Sequence, residues 1–177
     1  IDNKEKEGEV FNFKFTDTVK SNIENILKII EKSHINQLEV FFNTKILPAS
    51  ICLRRNLSYS QNDILDEKYS NNFHNDGYLL LHFKIFINLQ DITEKDGPMR
   101  IVPKKSTKKF LKEINYTDRF NYQKKNETYS YVNKGKIGDC LLFDPTSCMH
   151  AAGVPEKNHK RDYLIVTYVC IPKKDLY

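Results

Sequence analysis

The first clear pattern along the chain is an alternation of hydrophobic and polar residues. Over residues 10–15 three phenylalanines are separated by single polar residues, which predicts a short half-buried strand. Hydrophobic residues then recur every three or four positions over residues 19–30, as in an amphipathic helix. We expect Asp17 to cap this helix and the helix to end near His34. Residues 37–43 fit either more helix or a short strand.

Strand patterns dominate the rest of the chain. The predicted strands are Ile46–Leu57, Tyr78–Gln90, Met99–Val102, Tyr129–Val132, Cys140–Phe143 and Asp162–Cys170. A brief helix is expected over residues 106–114, and polar loops over residues 60–72 and 115–127. Many short strands with turns and few helices predict a mainly β fold with flanking helices, a sandwich or barrel.

One constellation of residues in this pattern carries chemistry. His74 and Asp76 stand two positions apart, so on a strand both side chains project from the same face. A third ligand from another strand, for which His150 is the candidate, would complete a two-histidine, one-carboxylate metal site that leaves coordination positions open. Such a site is typical of non-haem Fe(II) oxygenases. Arg161, farther along the chain, is a candidate to bind a carboxylate beside the metal.

Composition narrows the class of protein. The 177 residues suit one domain, and we expect 1–177 to be a single unit in which residues 10–34 pack on a β-core over 46–177. No apolar run approaches the roughly 20 residues of a membrane-spanning helix. Four cysteines show no paired motif, which favours free thiols and a cytoplasmic location.

The charge of the chain argues against a nucleic-acid partner. The net charge is +5, but the lysines are spread along the sequence rather than gathered into one patch. Nucleic acid is therefore an unfavoured partner. No sequence pattern indicates an oligomeric state.

The sequence resembles the phytanoyl-CoA dioxygenase-like family of Fe(II)/2-oxoglutarate oxygenases. The segments that carry the resemblance are FHNDGY (73–78), FKIFINLQDITEKDGPMRIVPKKS (83–106) and GDCLLFDPTSCMHAAGVPEKNHKRDYLIVTY (138–168). The resemblance implies a double-stranded β-helix, a cupin-like jelly roll with helices packed outside. This fold agrees with the predicted elements.

The same resemblance implies a reaction and its residues. His74, Asp76 and His150 would be iron ligands, and Arg161 would pair with the distal carboxylate of 2-oxoglutarate. The expected activity is hydroxylation of a small organic substrate with O₂ and release of succinate and CO₂, so the expected partners are a small-molecule substrate and O₂. The Tyr and Lys content of residues 115–127 suits a polar or anionic substrate. Because an oxygenase of this kind needs the carboxylate ligand, the presence of Asp76 disfavours halogenation.

Four further residues are candidates for the cosubstrate pocket. Lys84 and Asn88 share the polar face of their predicted strand, and Lys84 either contacts a carboxylate or faces water. Tyr163 and Thr167 share a strand face with Arg161, where they either line the cosubstrate pocket or fill the barrel.

Two other functions are compatible with the same residues. The first is a metal-dependent jelly-roll enzyme that does not use 2-oxoglutarate, in which Arg161 would bind substrate or support the fold. The second is a non-catalytic binding module with a degenerate site. Asp76 and Arg161 argue against this second function, because an unmatched carboxylate and guanidinium are costly to bury.

Overall fold

The computed structural model describes residues 10–58, 70–77, 81–123 and 130–173. The strands are β1 (Val10–Asn12), β2 (Thr44–Leu57), β3 (His82–Asn88), β4 (Arg100–Ile101), β5 (Tyr131–Val132), β6 (Cys140–Phe143), β7 (His150–Ala151) and β8 (Lys160–Pro172). The helices are α1 (Asp17–Ile30), α2 (Asn36–Phe42) and α3 (Lys104–Glu113). Residues 60–69, 78–80 and 124–129, for which the pattern predicts loops or strand ends, lie outside the described residues.

These strands form two antiparallel sheets. The larger sheet has the order β1-β2-β8-β3-β6 and the smaller has the order β5-β4-β7. The longest pairing joins β2 to β8, from Thr44 opposite Pro172 to Leu57 opposite Lys160, with an irregularity after Pro48. The predicted mainly β, jelly-roll fold class with flanking helices is confirmed.

Helix α1 covers the outer face of the larger sheet. Its buried residues Ile23 and Ile30 belong to one apolar cluster with Phe83 and Ile85 of β3 and with Val166 of β8. Residues two apart on a strand share a face, so the alternating apolar positions of β3 and β8 produce this surface. The helix therefore occupies the place that its amphipathic pattern predicts.

A second apolar cluster fills the space between the two sheets. Phe86 and Ile165 from the larger sheet meet Met99 and Ile101 from the smaller one. On the far side of the smaller sheet, α3 contributes Phe110 to a third cluster. The fold is thus layered as helix, sheet, core, sheet and helix, and the functional cavity lies between the sheets.

The N-terminal helical region differs from the sequence prediction at both ends. The N-cap is Thr16, whose hydroxyl accepts a hydrogen bond from the Val19 backbone N–H, while Asp17 is the first helical residue. Thr16 has the extended backbone that an N-cap requires, and Asp17 does not. The helix also does not end near His34: a π-helical turn over Glu31–Ile35 leads directly into α2.

Strand β1 is shorter than predicted. It ends at Asn12 instead of residue 15, although the Phe13 N–H still donates to the Leu53 carbonyl at 3.0 Å. The pairing with β2 is lost beyond this point because the chain turns away to begin α1.

None of the helices in the described part of the chain is long and apolar enough to cross a membrane. The longest, α1, has 14 residues and an amphipathic pattern. At 1.5 Å per residue this is about 21 Å, less than the hydrocarbon thickness of a bilayer. The single-domain organisation of residues 1–177 stays a prediction.

Candidate metal centre and cofactor cavity

Backbone pairing brings the two candidate histidine ligands side by side. The His74 N–H donates to the His150 carbonyl at 3.0 Å, and the His150 N–H donates to the His74 carbonyl at 2.8 Å. The two imidazole ring centroids are 4.4 Å apart. Asp76 follows two residues after His74, and its N–H is held by the Pro145 carbonyl at 2.9 Å. The structure thus brings together the three residues that the sequence singled out.

The donor atoms of these residues converge on one point. One ligand atom each from His74, Asp76 and His150 lies within 4.8 Å of the other two, in an arrangement that could hold a metal ion. The Asp76 Oδ1 is 3.8 Å from the Nε2 of each histidine. Two imidazoles and one carboxylate on one side of a cavity are the donor set of open non-haem iron sites.

The backbone around the histidines selects the tautomer that a metal needs. The Nδ1 of His74 lies 2.8 Å from the Asn72 carbonyl, and the Nδ1 of His150 lies 3.0 Å from the Cys148 carbonyl. A carbonyl only accepts, so each Nδ1 carries the proton and each Nε2 presents a lone pair. The residues present therefore fit a divalent metal.

The electrostatics of the site favour a neutral His150 and an ionised Asp76. Burial, together with the neighbouring His74, lowers the pKa of His150 to about 4, so this imidazole is neutral near pH 7. Burial acts to raise the pKa of Asp76, but the hydrogen bond and charge of Lys84 outweigh it and hold that pKa below its usual value. Asp76 is thus a carboxylate, and its Oδ2 contacts Lys84 and lies 3.5 Å from the His82 Nε2.

A cavity of about 490 Å³, open to solvent, lies beside these three side chains. Arg161 lines it and is only 2% exposed. The Arg161 Nη1 donates to the Gly153 carbonyl at 2.9 Å, and the guanidinium carbon is 5.3 Å from the ring centroid of Tyr163. A buried guanidinium held by a carbonyl and a ring is well placed for planar recognition of a carboxylate.

Gly153 has no room for a side chain. A Cβ at this position would lie 2.6 Å and 2.7 Å from the carbonyl carbon and oxygen of Gly97. Gly153→Ala is therefore expected to displace the backbone that holds Arg161, destabilising the protein by about 1–3 kcal/mol and weakening binding of any carboxylate ligand. Denaturant unfolding and a 2-oxoglutarate titration measure the two effects. A stable variant with unchanged affinity would contradict this assignment for Gly153.

The segment that carries His74 is anchored by the loop after α3. The Phe73 N–H donates to the Tyr122 hydroxyl at 2.8 Å, and an Arg119 nitrogen donates to the Ser70 hydroxyl at 3.0 Å. The Phe73 ring is fully buried and packs against Phe110, with 4.7 Å between centroids. Part of the polar loop predicted over residues 115–127 therefore supports the candidate metal centre.

Tyr122→Phe removes one hydroxyl and keeps the ring. The Phe73 N–H would lose its acceptor, and we expect a loss of about 1–2 kcal/mol in the free energy of unfolding. Chemical denaturation measures this loss. Tyr131→Phe, at an exposed position on β5, is the matched control and is expected to change stability by less than about 0.5 kcal/mol.

The remaining predicted pocket residues divide into two groups. Lys84 and Tyr163 line the cavity. Asn88 and Thr167 are not among the described residues that line it: the Asn88 amide instead donates to the Lys136 carbonyl at 3.3 Å, and Thr167 pairs with Lys84 across the sheet. The roles of all four as cosubstrate residues stay predictions.

Sequence reasoning missed two polar residues of β2. Arg54 and Asn56 both line the cavity, as neighbours on one strand face. The signal was their spacing of two on a predicted strand. That signal is ambiguous, since only the pairing of β2 with β8 decides which face is inside. The sequence pattern also did not identify His82, whose Nε2 lies 3.5 Å from the Asp76 Oδ2.

Several solved structures are similar in fold. A non-heme monooxygenase, the ThoJ–Ni complex, is 16% identical over 71% of this chain and 44% of its own, with a TM-score of 0.43. The non-heme alpha ketoglutarate dependent epimerase SnoN from nogalamycin biosynthesis is 11% identical over 90% of this chain and 61% of its own, with a TM-score of 0.49. EvdO2 from Micromonospora carbonacea var. aurantiaca is 10% identical over 96% of this chain and 70% of its own, with a TM-score of 0.49.

These likenesses do not transfer an activity or a substrate. The chain spans less than half the length of the ThoJ chain, and all three identities are low. Another SnoN structure is a complex with Fe³⁺, alpha ketoglutarate and nogalamycin RO. The His–Asp–His group described above has donor types suited to a non-haem iron. No curated protein sequence matches the chain.

A match to a protein-family model shows which family the chain belongs to. The model for phytanoyl-CoA dioxygenase (PhyH) matches residues 12–159, most of the chain. The match includes His74, Asp76 and His150 and ends just before Arg161, whose role therefore depends on the geometry of the cavity. The resemblance carried by the sequence motifs is confirmed, and the chain belongs to the phytanoyl-CoA dioxygenase family.

Proposed function

We propose that this chain is an Fe(II)- and 2-oxoglutarate-dependent dioxygenase that hydroxylates a small polar or anionic organic substrate and releases succinate and CO₂. Membership of the phytanoyl-CoA dioxygenase family supports an oxygenase-type enzyme. The observation that carries the finer proposal is the convergence of the His74, Asp76 and His150 donor atoms beside a cavity that also contains the buried Arg161.

In this proposal the three protein ligands occupy one side of the metal. The Nε2 atoms of His74 and His150 and the Oδ1 of Asp76 would hold Fe(II), since these atoms already face one another. Bound Fe(II) and 2-oxoglutarate together supply the oxidising chemistry, in which O₂ is consumed and the cosubstrate becomes succinate and CO₂. The Asp76 carboxylate is the ligand that favours hydroxylation over halogenation.

Lys84 orients the carboxylate ligand. It contacts the Oδ2 of Asp76, and the His82 Nε2 lies 3.5 Å from the same oxygen. Both contacts leave Oδ1 directed at the two histidines, so this oxygen would be the Asp76 atom that holds the metal. Lys84 and His82 would orient the carboxylate for that role.

Arg161 would bind the distal carboxylate of 2-oxoglutarate. Its guanidinium is buried at the cavity wall and held by the Gly153 carbonyl and the Tyr163 ring. The guanidinium is already desolvated and fixed in position. Its binding free energy for a carboxylate is therefore more favourable than that of a mobile surface arginine. In this arrangement Tyr163 closes the wall against water, and Asn88 and Thr167 would support that wall from outside the cavity.

The expected surroundings of the enzyme complete the proposal. All four cysteines are free thiols, which supports a reducing compartment such as the cytoplasm. A small-molecule substrate and O₂ are the proposed partners.

Succinate formation tests the proposed reaction. The protein is incubated with Fe(II), 2-oxoglutarate, ascorbate and air, and succinate is quantified by mass spectrometry. We expect succinate above the background of His150→Ala protein at equal concentration. Equal succinate in both samples, with iron bound to the wild type, would favour an enzyme that does not use 2-oxoglutarate.

A further inference from the structure

Arg54 lines the same cavity from β2, the strand that pairs with β8, which carries Arg161. In the antiparallel pairing of β2 with β8, Arg54 lies opposite Tyr163 and Asn56 lies opposite Arg161. Directly opposed residues share a sheet face, so Arg54 and Asn56 extend the wall that carries Arg161. All four residues line the cavity.

No carboxylate among the described residues pairs with Arg54. Its Nε donates to the Asn12 side-chain oxygen at 3.2 Å, and that neutral oxygen also accepts from the Cys52 thiol. The neighbouring Arg55, on the other face of β2, is instead held by Asp162 through two hydrogen bonds of 2.8 Å. A guanidinium has five N–H donors, and in the described part of the chain Arg54 donates to Asn12 alone, so its other donors could serve a ligand.

The charges of the cavity are unbalanced. Among the described residues the lining contains three cationic side chains, Arg54, Lys84 and Arg161, and one carboxylate, Asp76. Lys84 is paired with Asp76, and Arg161 is the proposed partner of 2-oxoglutarate. Within this described lining, Arg54 is therefore the cation that a second anion could bind.

We infer that the substrate is a small organic acid whose carboxylate or phosphate binds Arg54. This inference rests on the proposed function, because that function assigns the other two cations. A planar guanidinium recognises either anion through paired hydrogen bonds, and Asn56 and Ser70 supply neutral polar groups in the same lining. Phe86, Met99 and Ile165 form the apolar lining, which suits a hydrocarbon body that carries the C–H bond.

Pairs of a charged and a neutral ligand with the same hydrocarbon body test this inference without turnover. Protein loaded with Zn(II) and 2-oxoglutarate is titrated calorimetrically with hexanoate and hexanamide, phenylacetate and phenylacetamide, and hexyl phosphate and hexanol. We expect at least one charged member to bind wild type about 10- to 100-fold more tightly than its neutral counterpart. Arg54→Gln should abolish that preference and Arg54→Lys should keep part of it. Lys105→Gln, which removes an exposed charge on α3, should keep all of it.

Three results would overturn the inference while the proposed function stands. The first is that the complex with bound Zn(II) and 2-oxoglutarate shows no preference for any charged ligand. The second is that the Arg54→Gln protein keeps the preference. The third is that Arg54→Gln loses as much 2-oxoglutarate affinity as Arg161→Gln does. The last result would assign Arg54 to the cosubstrate. Failure of the wild type to bind 2-oxoglutarate would instead remove the proposed function itself.

Discussion

His150→Ala is expected to weaken divalent metal binding by more than about 100-fold. Residues that merely orient a metal ligand contribute 10- to 100-fold to affinity, and loss of a direct ligand should exceed that range. His150 offers a neutral imidazole whose Nε2 lies 3.8 Å from the Asp76 Oδ1. Calorimetric titration with Co(II), which resists oxidation, measures the affinity directly.

His34→Ala is the matched control for this loss. His34 is an exposed histidine in the π-helical turn, outside the cavity lining, and its replacement should leave Co(II) affinity within about twofold of wild type. Unfolding curves for both variants show whether a change reflects the fold. Tight, stoichiometric Co(II) binding by a folded His150→Ala protein would contradict the assignment of the metal ligands.

Arg161→Gln is expected to weaken 2-oxoglutarate binding by about 30- to 3,000-fold. Truncating one partner of a buried charged pair costs about 2–5 kcal/mol, and each 1.4 kcal/mol is tenfold in affinity. The residue is buried and lies outside the metal ligand set, so Co(II) affinity should change little. Calorimetric titration of the Co(II)-loaded variant with 2-oxoglutarate gives the dissociation constant.

Arg161→Lys separates charge from geometry. Lysine keeps the positive charge but lacks the planar fork, so we expect an affinity between those of wild type and Arg161→Gln. If both variants bind 2-oxoglutarate as tightly as wild type does, Arg161 has a structural role in the fold. The cosubstrate would then bind to another cation.

Features that depend on local spacing could be predicted from the sequence. The alternation in β3 places Phe83 and Ile85 under the helix and Phe86 in the inter-sheet core, because side chains alternate along any strand. The spacing of two also identified His74 and Asp76 as a pair, on the expectation of a strand. In the structure only His74 of this pair forms a β-bridge, and Asp76 lies in irregular chain, where its N–H is held by the Pro145 carbonyl.

Features that depend on contacts between distant segments could not be predicted. Arg54 and Arg55 are neighbours with the same chemistry, and only the register of β2 against β8 places Arg54 in the cavity and Arg55 against Asp162. The prediction of Asp17 as the N-cap was wrong for a related reason: Thr16 and Asp17 are both residue types that favour that position, and the entry of the chain into the helix places Thr16 there.

The support of the metal centre is also long-range. Lys84 meets Asp76 because β3 returns beside the segment that precedes it, and Tyr122 reaches the backbone of Phe73 from a loop that has no sequence periodicity. Polar contacts of this kind leave no pattern along the chain. They become visible only when the two segments are placed together.

Anaerobic titration of the Fe(II)-loaded protein with 2-oxoglutarate shows whether the cavity binds the metal and the cosubstrate together. When 2-oxoglutarate chelates Fe(II), the complex has a weak visible charge-transfer band. We predict that the band appears in wild type, saturates at one 2-oxoglutarate per chain, is absent in His150→Ala and needs far more ligand in Arg161→Gln. A wild-type protein that binds one Fe(II) per chain and shows no band at saturating 2-oxoglutarate would contradict the account.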